Sequence, residues 1–268
     1  SLAYRTDLIF PAFEGRIVDR GDYMVILSPS NPTYYWGNFL LFSAPAREGD
    51  FDRWRDLFKR EIGEPPRITH MAFGWDGTDG AAGFVEPFVQ ANFQLEHTVV
   101  LAAAEPVPPL RPNADIEIHT LSSDADWNEA IELQVSAREG GHTEADYRTY
   151  REDACARYRR MEAAGRGHWY GAYLDGRLVA DLGVFHDEHG LGRYQSVETH
   201  PDFRRQGIAG TLVYEAGRRA IREHGLHTLI ILADDEGDPA RMYQSVGFKP
   251  TEKSAGLVWW EGKPPRGA

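Results

Sequence analysis

Apolar positions along this chain follow two stretches of alternating strand and helix pattern, one on each side of a proline-rich segment. In the second stretch, Ala209, Leu212, Val213, Ala216 and Ala220 recur at helical spacing and give one apolar face. Residues 191–199 before them read as a strand. Thr228–Ala233 after them is a continuous apolar run, as expected of a strand buried on both faces. Strand, helix and buried strand make a βαβ unit whose helix crosses back over a sheet. Upstream, Ile116, Ile118 and Leu121 begin a strand, and helical patterns cover 124–138 and 144–164. Trp169–Leu174 and Leu178–His186 form a hairpin about Asp175-Gly176, a favoured turn dipeptide. A helix carrying Tyr243 and a last strand over Ala255–Trp260 complete the order.

The first hundred residues repeat this plan in weaker form. Tyr23–Leu27, Trp36–Phe42 and Ile68–Phe73 are strand-like, Phe51–Ile62 is an amphipathic helix, and a helical stretch runs through Phe88 to Phe93. Phe88 and Phe93 have the same separation as Tyr243 and Phe248. Ala104–Asn113, with four prolines, reads as a stiff linker. The expected organisation is therefore a domain over 1–103, a linker over 104–114 and a domain over 115–268, in the α/β class with a mixed sheet. An unrelated α/β domain is the competing reading of the first part.

The junction between strand 191–199 and the helix after it carries the most chemistry. Glycines at a helix N-terminus let a ligand approach main-chain N–H groups that have no partner within the helix. Those donors and the helix dipole favour a phosphate or pyrophosphate. The dinucleotide pattern G-x-G-x-x-G is not met, since Arg205 stands at its first position, and the triphosphate loop G-x-x-x-x-G-K-[ST] is absent. What stands there is R-x-x-G-x-A, with Arg204, Gly207 and Ala209 in the key places. This resembles the acetyl-CoA motif of the GNAT superfamily of N-acetyltransferases, and Thr199-His200-Pro201 looks like its V-x-P lead-in. Pro239–Phe248 resembles a later segment of the same superfamily, with Tyr243 at the tyrosine place, Met242 for the usual leucine, and Gly247-Phe248 as the closing pair. The asparagine often found early in that segment has no counterpart in 234–238. The resemblance covers roughly residues 115–262.

The resemblance implies an acyl-CoA N-acyltransferase fold, here as two GNAT-like halves in tandem with a degenerate first half. It also implies acetyl-CoA as cosubstrate and direct transfer of acetyl to an amine acceptor, a small molecule or peptide, without a covalent enzyme intermediate. Main-chain groups about Val197 and Thr199 would hold the pantetheine and acetyl carbonyl. Arg204 would contact phosphate, and Arg205, Gln206, Gly207, Ile208, Ala209 and Gly210 would offer N–H groups to the pyrophosphate, with the Thr211 hydroxyl as a further donor. Tyr243 would serve the leaving thiolate, because a phenol donates at neutral pH. Glu198 is the first candidate for the base, provided it points into the cleft; strand alternation leaves that open. His186 and His200 are reserves. Glu139 and His142 lie where the family meets acceptors. An acetyl-CoA-binding sensor without turnover is the alternative of a different class.

Charge and cysteine usage narrow the partners. The chain has 268 residues and a formal net charge of −12, which disfavours a nucleic-acid partner held through phosphates. An acidic protein must then place its positive charge locally to hold a polyanion, as Arg204 and Arg205 do. Cys155 is the only cysteine, so no internal disulfide forms. No apolar run reaches membrane-spanning length and no secretory pattern opens the chain, so a cytoplasmic location without a membrane partner is expected, with a homodimer as an option. The His186-Asp-Glu-His189 run matches no zinc motif and reads as a solvated turn, so no metal is expected.

Overall fold

The computed structural model describes residues 1–138, 143–234 and 238–262. In chain order the elements begin with α1 (Leu2–Asp7), α2 (Ile9–Glu14), β1 (Arg16–Asp19), β2 (Tyr23–Leu27), β3 (Phe39–Phe42), α3 (Asp50–Glu61), β4 (His70–Trp75), α4 (Glu86–Gln90) and β5 (Gln94–Ala103). They continue with β6 (Glu117–Thr120), α5 (Asp124–Ala137), α6 (Glu144–Ala163), β7 (Gly167–Leu174), β8 (Arg177–His186), β9 (Leu191–Thr199), α7 (Ile208–His224), β10 (Thr228–Asp234), α8 (Asp238–Ser245) and β11 (Lys249–Trp260). One succession runs twice: two helices, three antiparallel strands, a helix, a strand parallel to the third, a short helix and a long strand. The mixed α/β fold and its internal repeat agree with the sequence.

The chain divides into two compact units, residues 1–99 with 252–268, and residues 100–251. The proline-rich segment therefore lies inside the second unit, and most of the last strand belongs to the first. In unit 1 the strands run β1-β2-β3-β4-β11, with Gly256–Trp260 antiparallel to His70–Trp75. The α3 helix buries Trp54 and Phe58 on the sheet, and Trp54 stacks on Phe42 with centroids 3.9 Å apart and planes 6° apart. Phe73, Trp75, Phe88, Phe93 and Leu257 complete that core, while Tyr4, Ile26, Phe39 and Val258 form a second cluster.

In unit 2 the order is β10-β9-β8-β7-β6. The α5 helix starts on a capping box in which the Asp126 N–H donates to Ser123 Oγ and the Ser123 N–H to the Asp126 carboxylate. Tyr158 of α6 lies against Trp169 (4.7 Å) and Phe185 (5.2 Å), which fixes the face that α6 covers. On the other face, Tyr194 donates its hydroxyl to the Val213 carbonyl of α7 at 2.7 Å. The expected linker is packed along α7: Val107 N–H donates to Val246 O, and Asn113 binds Thr211 and Gln206 O. Gly207, Gly210 and Gly217 are the positions where this segment comes close.

The two halves share local geometry as well as order. Gly49 precedes α3 at φ 88°, ψ −10°, and Gly207 precedes α7 at φ 79°, ψ −1°. The Phe93 N–H donates to Phe88 O and the Phe248 N–H to Tyr243 O, each across a left-handed residue, Asn92 or Gly247. The Phe88 and Tyr243 spacing thus marks equivalent helix ends.

Candidate active site

Three backbone features of β9 shape the site. Its ladder to β10 covers Leu191–Arg193 only, after which β9 runs on to Thr199 and β10 to Asp234 without further ladder pairs. Its ladder to β8 pairs Ala180 with Thr199, Asp181 with Glu198 and Gly183 with Gln195. Ser196 and Val197 therefore oppose Leu182 alone, a β-bulge with Ser196 at φ 45°. A bulge leaves main-chain groups outside the ladder, where a ligand can use them.

The glycine turn follows. After the 3₁₀ turn Pro201–Phe203, Arg205 (φ 62°) and Gly207 (φ 79°) take left-handed conformations before α7. Left-handed residues at a helix start gather successive N–H groups into an anion-binding concavity. Any Cβ at 207 would also collide with the Arg111 carbonyl oxygen, so glycine is required there on two counts. Arg204 Nε donates to Thr199 O (3.2 Å), which ties one candidate to another. Thr211 differs from expectation: its hydroxyl donates to Gly207 O (2.9 Å) and accepts from Asn113 N–H (2.9 Å). Through these two hydrogen bonds it secures the turn.

Glu198 lies on the α5–α6 face. Its cross-strand neighbour Asp181 accepts from Gln134 Nε2 of α5 (2.8 Å) and from Trp169 Nε1 (3.0 Å), and cross-strand partners share a face. Tyr243 is 6% exposed. Burial, and next the Glu198 charge, push its phenol well above the usual value, so it remains a donor. Glu139 and His142 lie outside the described residues. His200 accepts from the Asp202 N–H and meets Arg177, and both ring nitrogens of His186 lie against the Asp187 and Gly165 carbonyls. Cys155 is buried, and burial pushes its thiol up to about 11, which leaves little thiolate for chemistry.

Sequence reading missed the buried polar cluster beside the bulge. Arg151 of α6, 2% exposed, donates Nη1 to Ser196 Oγ (3.2 Å), while its Nε and Nη2 are buried without a hydrogen-bond partner among the described residues. The arginine-rich α6 looks like a solvated face, yet Arg151, Ala154, Cys155 and Tyr158 share one stripe, which is the signal that places Arg151 inside. Asp181 likewise interrupts an apolar run.

Burial pushes the Asp181 carboxyl up to about 7; Gln134, Trp169 and Arg151 oppose that rise and Glu198 adds to it. A carboxyl with a raised native pKa binds more protons folded than unfolded between its ordinary value and about 7. Its contribution to stability is therefore present at acid pH and lost as pH rises through that window. Asp181→Asn, whose amide oxygen still accepts from Gln134 and Trp169, is expected to flatten this loss. Urea unfolding at pH 5 and pH 8 checks it: the mutant should gain relative to wild type at pH 8 and not at pH 5.

Residues 165–250 match the protein family described as "Acetyltransferase (GNAT) domain". The matched residues lie in the second unit and include the bulged strand and the glycine turn. Solved structures of similar fold include a functionally unknown conserved protein from Staphylococcus epidermidis ATCC 12228, with TM-score 0.69, 15% identity, and coverage of 91% of this chain and 93% of that one. A GCN5-related N-acetyltransferase from Kribbella flavida has TM-score 0.64 and 16% identity over 96% of this chain and 94% of that one. A tandem GNAT protein from the clavulanic acid biosynthesis pathway has TM-score 0.57 and 14% identity over 98% and 93%. At these identities the likeness is one of fold, the acyl-CoA N-acyltransferase fold with tandem halves. No curated protein sequence matches the chain. Among the described residues, no helix is long and apolar enough to cross a membrane.

Proposed function

We propose that the protein is an acetyl-CoA-dependent N-acetyltransferase that passes acetyl directly to an amine acceptor. The observation that carries this reading is the left-handed pair Arg205 and Gly207 at the start of α7, immediately after a bulged, splayed β9. The turn holds the pyrophosphate through N–H groups of 205–210, and main-chain groups freed at the bulge receive the acetyl carbonyl oxygen, where negative charge grows. The amine nitrogen attacks the thioester carbonyl carbon and the carbon–sulfur bond breaks. Glu198 takes the proton leaving the nitrogen, and the Tyr243 phenol donates to the departing sulfur.

The first half is proposed to have lost this chemistry. Its equivalent turn keeps the left-handed Gly49, but the Asp50 carboxylate accepts from the Arg47 N–H at 2.8 Å, so the protein's own anion stands at that helix start. Phe88 also lacks the hydroxyl of Tyr243.

Calorimetric titration of acetyl-CoA tests the donor site. Because a side chain at 207 meets the Arg111 carbonyl, Gly207 substitutions confound binding with folding. Gln206→Glu is the cleaner variant, since Gln206 is exposed and the change adds charge without changing shape. Micromolar binding by wild type is expected, with affinity lower by about tenfold or more in Gln206→Glu, consistent with roughly 1.4 kcal/mol or more for a misplaced charge near a phosphate. No binding by wild type, or equal binding by both, refutes the proposed donor site.

A further inference from the structure

A second cluster of titratable side chains sits at the opposite end of the unit 2 ladder. The bulge lies where Asp181 pairs with Glu198; this cluster lies where Gly167 pairs with Phe185. One ligand atom each from His168, Glu223 and His224 lie within 4.8 Å of one another. His168 is near the start of β7, and Glu223 and His224 end α7.

Both ring nitrogens of His168 face carboxylates. His168 Nδ1 lies 2.9 Å from Glu162 Oε1, and a ring nitrogen facing a carboxylate carries the hydrogen. The other ring nitrogen, Nε2, points outward to Glu223 Oε2 at 3.7 Å. Glu162 is itself fixed, because Oε1 also accepts from the Trp169 N–H at 3.3 Å. A carboxylate holding the far nitrogen of a histidine is the usual outer support of a metal-binding imidazole. Independently, His224 Nε2 is buried and has no hydrogen-bond partner among the described residues. Its ring centroid is 5.6 Å from that of His168. His186 comes closer to His224, at 4.4 Å, and its two ring nitrogens lie against carbonyl oxygens of Asp187 and Gly165. Two ring nitrogens and a carboxylate thus converge on one point.

We propose that His168 Nε2, His224 Nε2 and a Glu223 carboxylate oxygen bind a divalent transition-metal ion, Zn²⁺, with Glu162 orienting His168. Two imidazoles and one carboxylate are a donor set that zinc accepts in tetrahedral geometry, leaving the fourth position to water. Zinc bonds of about 2.0–2.1 Å place tetrahedral ligand atoms roughly 3.3 Å apart. Glu223 is exposed and can rotate to close the remaining distance. The ion would also sit at the C-terminal end of α7, where the helix dipole favours a cation. It would bind β7 to the last turn of α7, and through Glu162 reach the end of α6, so its role is to fix these elements rather than to enter the transfer reaction.

The test uses full-length, tag-free protein stripped of metal and titrated calorimetrically with ZnCl₂, with CoCl₂ as a spectroscopic probe. One equivalent of Zn²⁺ and a tetrahedral Co²⁺ absorption band are expected in wild type and in His119→Ala, a distant surface control. His224→Ala and Glu223→Gln should lose that equivalent or bind it about 100-fold more weakly, and Glu162→Gln should weaken it about tenfold. Glu223 is on the surface, so its variant keeps the test valid if His224→Ala does not fold. Zn²⁺ should raise the unfolding temperature of wild type and not of Glu223→Gln. No stoichiometric binding by wild type, or unchanged binding by Glu223→Gln, overturns the proposal. None of these readouts depends on acetyltransferase activity.

Discussion

Tyr243→Phe is expected to lower kcat by about 10²-fold or more, within the range usual for loss of a proton donor, while leaving acetyl-CoA affinity within about twofold. The change removes one oxygen from a side chain that is 6% exposed and leaves its buried ring in place. Phe88 occupies the equivalent position in the first half with the equivalent helix-end hydrogen bond, which indicates that phenylalanine suits this geometry. A fall in turnover is then a loss of chemistry rather than of structure. Single-turnover kinetics with calorimetry separates the two. Unchanged turnover would remove Tyr243 from the mechanism. Wild type that binds acetyl-CoA yet transfers to no amine would favour the sensor reading.

Glu198→Gln is expected to lower kcat/KM by about 10²-fold and to remove the acidic limb of the rate profile, again with acetyl-CoA binding retained. Its side chain stands opposite Asp181 on the face covered by α5 and α6, and its charge reaches Tyr243. In the proposed mechanism Glu198 and Tyr243 are then close enough for their charges to interact. Glutamine keeps the size and hydrogen bonding but cannot take a proton. A pH series of kcat/KM for wild type and mutant checks this, and an acidic limb that persists in the mutant would assign the base elsewhere.

The local signals in the sequence were readable because each needs only neighbouring residues. The strand, glycine turn and helix from 191 to 224 follow from an apolar period and one short motif. The repeat was visible in the spacing of Phe88 to Phe93 and Tyr243 to Phe248. Short elements were not: α1 and α2 have six residues each, too few for a helical period to register. The placement of Arg151 and Asp181 was hidden because charges are read as solvated, although both interrupt apolar stripes. The packing of 104–113 along α7 was hidden for a similar reason, since a proline-rich run reads as a spacer. The pairing of β11 with β4 is a long-range contact, and nothing in the order of segments announces it.

That last pairing bears on how the protein is made. The β4 strand, buried along its whole length in the finished fold, leaves the ribosome about 180 residues before Gly256–Trp260 arrive to pair with it. At common translation speeds of about 5–20 residues per second, the delay is on the order of 10–40 s. Through that interval one edge of an apolar strand awaits its neighbour, the state in which nascent chains recruit chaperones or associate with one another. Unit 1 precedes most of unit 2 in the chain, yet it can be completed only after unit 2 has been translated.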